Sequence, residues 1–105
     1  MKWMDDPIGK DCIDLHTTLA RWLADRLQFL GDNASGWPLV TDKEETQEEY
    51  DRQYRNWRIE LWDTAKTLKD YADADGNFDT EYEIRTERVR KAMEWVAKNF
   101  VNLWD

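Results

Sequence analysis

The chain has 105 residues, 23 Asp and Glu against 15 Lys and Arg, a formal charge of −8 and one cysteine. That length suits a single domain, and the acidic balance argues against a surface built to neutralise phosphates while favouring basic partners. A lone Cys12 excludes an internal disulfide and points to a reducing compartment, and no stretch approaches the ~20 apolar residues of a membrane span.

The opening M-K-W-M-D-D-P has no apolar run that could serve as a signal peptide, so a cytosolic protein is expected. Asp6 then offers an N-cap and Pro7 a first-turn proline, which predicts a first helix from Pro7 to Leu30 with Gly31 as its stop. Ile8, Cys12, Leu15, Leu19, Trp22, Leu23 and Leu30 fall within about 100° of one another at helical spacing and make the expected dry face. Arg26 lands in the middle of it, either snorkelling past the core edge or pairing with a carboxylate of another helix.

Gly31–Thr41 is turn-rich, and Ser35-Gly36-Trp37-Pro38 breaks any helix. Trp37, Leu39 and Val40 are apolar enough to fold back as a lid. The second helix is predicted from Thr41, with Glu44 three residues on completing a capping box, and with early carboxylates suited to the helix dipole. Tyr50, Tyr54, Trp57, Leu61, Thr64, Leu68 and Tyr71 follow in alternating 4-3 spacing, the clearest periodic signal in the chain. The third helix is predicted after Gly76, opened by a Thr80–Glu83 capping box, with Tyr82, Val89, Ala92, Met93, Val96, Phe100, Leu103 and Trp104 on its stripe. The expected fold is all-α, an antiparallel three-helix bundle with a turn-rich loop between helices one and two, in a single domain over 1–105.

Seven tryptophans in so short a chain first call for core filling, since Trp supplies large apolar area. Two Ile/Trp pairs lie off the predicted stripes: Ile59 with Trp62, and Ile84 with Trp95. They read as partner-binding anchors, unless Trp3, Met4 or the Trp37 loop covers one of them. Arg52, Arg55, Arg58, Lys66 and Lys69 frame the first pair. Arg55 and Lys66 are assigned to the same binding surface. Such a ridge is compatible with a solvated or internally paired face, with a protein interface, or with stacked bases. Direct nucleic-acid binding ranks last because the whole chain is acidic.

Carboxylates gather in two places. Six lie between Asp42 and Asp51 and seven between Asp70 and Glu87. Glu44, Glu45, Glu48, Asp73 and Asp75 are the candidates for steering toward a basic surface. The two clusters sit at opposite ends of the second helix, which weakens nucleic-acid mimicry and leaves ordinary helix-end solvation as the plainer account.

No residue set argues for catalysis. Asp73–Asp79 places oxygens at alternate positions like a calcium loop, but Phe78 stands where the turn needs Gly and Ile84 where a bidentate Glu belongs. His16 is the only histidine and reads as a boundary residue, and neither a His pair nor a second Cys exists for zinc. No enzyme activity, metal or cofactor is expected.

The pattern D-L-H-T-T-L-A-R-W-L at 14–23, S-G-W-P at 35–38, the acidic entry to helix two and the terminal F-V-N-L-W-D resembles small acidic helical bacteriophage proteins. Ser35 stands where that group often has His. The resemblance implies a phage product acting in the host bacterial cytoplasm, and by analogy one that blocks a host protein, such as a nucleic-acid-handling defence complex, in the manner of an anti-CRISPR. A homo-oligomeric structural or accessory phage protein is the alternative, with the Ile/Trp pairs buried between copies.

Overall fold

The computed structural model describes residues 6–38, 46–74 and 80–103. They form four helices: α1 Pro7–Cys12, α2 Leu15–Asn33, α3 Gln47–Ala74 and α4 Tyr82–Asn99, with a closing 3-10 turn over Phe100–Asn102. No strand occurs among the described residues, and none of their helices is long and apolar enough to cross a membrane.

The first helix begins as expected. Asp6 caps it by accepting the N–H groups of Ile8 and Gly9 at 2.8 and 3.1 Å, with Pro7 at the first position. It does not continue to Leu30. Asp14 takes a left-handed conformation (φ 54°, ψ 47°), and its carbonyl restarts the ladder by accepting from Thr17 and Thr18. Asp is one of the few residues with a Cβ that enters this region at modest cost. The break separates Ile8 and Cys12 from the periodicity that follows, and both are exposed.

Gly31 does not stop α2, which runs two residues further, to Asn33. The reason is long-range. Its missing side chain makes room for the Trp62 indole, since an added Cβ would lie 2.6 Å from Trp62 Nε1. A helical glycine costs about 1 kcal/mol relative to alanine, and here the close approach of α3 offsets it.

The dry face of α2 is not the one expected. Buried are Thr17, Ala20, Ala24, Leu27 and Gly31, a mostly small-residue stripe spaced 3-4-3-4. Leu15, Leu19 and Trp22, predicted to be core, are exposed, whereas Leu23 and Leu30 do pack on the core cluster. Small side chains allow α3 to approach closely, and α3 answers with Ala65 and Ala72.

α3 keeps the predicted stripe: Trp57, Leu61, Thr64 and Leu68 are buried, with Tyr54 and Tyr71 packed on the cluster. Its described start lies at Gln47, where Thr46 Oγ1 accepts the Glu49 N–H at 3.2 Å. The Thr41–Glu44 capping box lies outside the described residues. α4 starts at Tyr82 with Glu81 at its N-cap and no side-chain cap, so Thr80 does not fill that role. Its buried positions are Ala92 and Val96, with Val89, Trp95 and Leu103 packed beside them, while Met93 and Phe100 face water.

Side-chain pairs give the directions. His16 and Arg21 meet Tyr71 and Ala72, while Gly31 meets Arg58, so α2 and α3 are antiparallel. α4 returns along α3, with Trp95 on Trp57 and Arg85 and Arg88 near Lys66–Tyr71. Among the described residues no Cα of α2 lies within 8 Å of one in α4. α3 is thus the shared partner of α2 and α4. Leu61 and Leu68, fully buried, sit on α3 between the arcs that face its two neighbours. The radius of gyration is 16.8 Å, against about 13 Å for a compact domain of this length.

Candidate interaction surfaces

Trp62 belongs to the monomer. It was placed on a wet face from its helical phase, but its Nε1 donates to Asp32 Oδ1 at 3.0 Å and its ring lies over Gly31. Arg58 sits between aromatic faces, its guanidinium carbon 4.7 Å from the Trp62 ring and 5.5 Å from that of Tyr54. From there its Nε donates to the Gly31 carbonyl at 2.8 Å, and Tyr54 Oη donates to the Ala34 carbonyl at 2.6 Å. Helix C-termini leave carbonyls without intrahelical donors, and α3 supplies donors to the end of α2. The cationic Arg58 also suits the negative end of the helix dipole. At the other end of the hairpin Arg21 Nη2 donates to the Ala72 carbonyl at 3.3 Å, so each helix caps the other.

This arrangement makes the basic residues of α3 in large part an internally paired face, one of the readings the sequence left open. Arg58 turns inward, Arg52 pairs with Glu49, and Lys66 reaches Asp70 at 3.1 Å, while Arg55 stays exposed. Such exposed ion pairs contribute little, typically under 1 kcal/mol. His16 is exposed, its Nδ1 hydrogen-bonded with the Tyr71 hydroxyl at 2.8 Å.

Trp95 is the second correction. Its phase put it opposite the core, yet it stacks on Trp57 with centroids 5.4 Å apart and 29° between planes. Its Nε1 is buried and has no hydrogen-bond partner among the described residues. A stranded donor of this kind typically costs 1–3 kcal/mol.

Ile59 and Ile84 remain open, 43% and 52% exposed. Ile59 shares a groove of about 570 Å³ with Trp57, Trp95, Pro38 and Lys98 along the α3–α4 seam. Ile84, eleven residues before Trp95 on α4, is roughly 16 Å away along the helix and does not line that groove. The four residues therefore do not form one patch.

Trp37 does fold back, its ring 5.3 Å from that of Tyr54 and 6.2 Å from that of Tyr50, with Nε1 donating to Gln53. Leu39 and Val40 lie outside the described residues. So do Glu44, Glu45 and Asp75 of the acidic set. Glu48 is exposed in the first turn of α3, and Asp73, exposed at its far end, lies 3.8 Å from Arg21. Residues 75–79 of the calcium-like segment are not described, and no group of metal-ligating side chains occurs among those that are.

A further apolar surface joins three residues that the periodicity assigned to the core with Phe29, which it did not. Leu15, Leu19, Trp22 and Phe29 are all exposed, Phe29 by 69%. With Arg26 they repeat at 4-3-4-3 spacing, about 160° around α2 from the buried stripe. Arg26 lies over Trp22 at 4.3 Å from the ring centroid. Among the described residues Trp62 is half-buried, and Trp22 is thus the exposed indole. The signal that marked it was the row Ala20, Ala24, Gly31 on the reverse side, which hydrophobicity undervalues.

The chain matches no protein-family model, no curated protein and no solved structure.

Proposed function

We propose that the protein is a phage-type binding protein that inhibits a host protein in the bacterial cytoplasm, a nucleic-acid-handling defence complex being the first class to test. The observation that carries this reading is the α3–α4 groove, where Ile59 stands open beside two stacked indoles and Trp95 Nε1 has no partner among the described residues. An apolar side chain of a partner suits that slot. The charge of −8 directs it toward a basic surface and makes association salt-dependent. The phage assignment rests on the sequence motifs at 14–23, 35–38 and 100–105, and the host-inhibitor role on analogy with that group.

The test is capture from bacterial lysate with wild-type chain and with Ile59→Asp. One protein retained by the wild type, lost on Ile59→Asp and weakened by salt supports the reading. Retention that ignores Ile59→Asp contradicts it, as does a failure to retain any protein.

A further inference from the structure

The Leu15–Phe29 face of α2 is exposed in the monomer, and its spacing suits a second helix. Leu15, Leu19, Trp22, Arg26 and Phe29 occupy successive seam positions of a coiled-coil heptad, on the side of α2 away from α3. The exposed portions of the four apolar residues amount to roughly 500 Å² per copy, so two copies would bury about 1,000 Å², the lower limit of a specific interface. Leu23 and Leu30 border this face and add to it.

Arg26 decides the orientation. A parallel pair would set Arg26 against Arg26. An antiparallel pair, with its two-fold axis between Trp22 and Arg26, sets Arg26 of one copy against Trp22 of the other, and Leu19 against Phe29. The cation–π contact present within one chain is then repeated between chains. We propose that this face is a homodimer interface, occupied by the same face of a second copy running antiparallel.

Sedimentation velocity on the full chain from about 0.1 to 100 µM should show a dimer that dissociates on dilution. Leu19→Asp and Phe29→Asp should each weaken it at least ~100-fold without loss of helical circular dichroism. In a Cys12→Ser background, mixed Leu19→Cys and Phe29→Cys chains should oxidise mainly to the mixed disulfide. A monomer throughout the range, a dimer indifferent to both Asp variants, or preferred Leu19→Cys self-linkage would each overturn the proposal. The groove is tested apart from it: Ile59→Asp should leave the dimer intact, so loss of dimerisation and loss of host capture are separate failures.

Discussion

α3 holds its two neighbours by different means. Against α2 it offers alanines and a set of directed hydrogen bonds: Arg58 to the Gly31 carbonyl, Tyr54 to that of Ala34, Trp62 to Asp32, and Arg21 returning to Ala72. Against α4 the prominent contact is the Trp57–Trp95 stack, with a buried N–H left unmatched among the described residues. The first contact fixes register, because each bond joins one residue to one carbonyl or carboxylate. The second supplies area with less direction. The α3–α4 seam accordingly leaves an apolar groove beside Ile59, while the cleft along the α2–α3 seam is lined largely by polar and charged side chains, Asp25, Gln28, Asp63, Lys66 and Lys69 among them.

That contrast can be broken at Trp95. Trp95→Ala should cost about 3 kcal/mol in denaturant unfolding, and hydrogen exchange should show α4 amides losing protection while those of α2 and α3 keep theirs. Equal loss in all three helices would mean that α4 is as tightly integrated as the hairpin.

A smaller effect sharpens the other side. Gly31→Ala gains helix propensity of about 1 kcal/mol but drives Trp62 off its seat, an overpacking cost of about 1–3 kcal/mol. The net expectation is destabilisation by about 1 kcal/mol in the same assay. In a Trp62→Ala background the sign should reverse, because the clash has gone and only the propensity remains. Additive effects would show that the indole does not rest on this glycine.

Much of α3 was legible in the sequence because its buried residues are large: Trp57, Leu61 and Leu68 at 4-3 spacing leave one candidate core face. α2 was misread for the opposite reason. Ranked by apolarity, Leu15, Leu19 and Trp22 outweigh Ala20, Ala24 and Gly31, yet the small residues let two backbones approach. The break at Asp14 left no mark, since Asp is ordinary in a helix and only its φ reveals the turn. Trp62 and Trp95 were misplaced because helical phase within one segment does not show which neighbour lies beside it. Asp32, Gly31 and Trp57 settle those two positions, from elsewhere in the chain. Ile59 and Ile84 were correctly placed on the surface, although they do not share a site with the indoles as a group.

The central claim is that α2 turns its small residues to α3 and its Leu15–Phe29 face outward. Leu27 and Phe29 are two residues apart and on opposite sides, 3% and 69% exposed. With Cys12→Ser as background, Leu27→Cys and Phe29→Cys chains can be treated with a thiol reagent at a concentration low enough to keep them monomeric. The account predicts that the thiol at position 29 reacts near the rate of a free cysteine, and that the one at 27 is slower by about 100-fold or more, waiting on local opening. Equal rates, or protection at 29 with reactivity at 27, would contradict it.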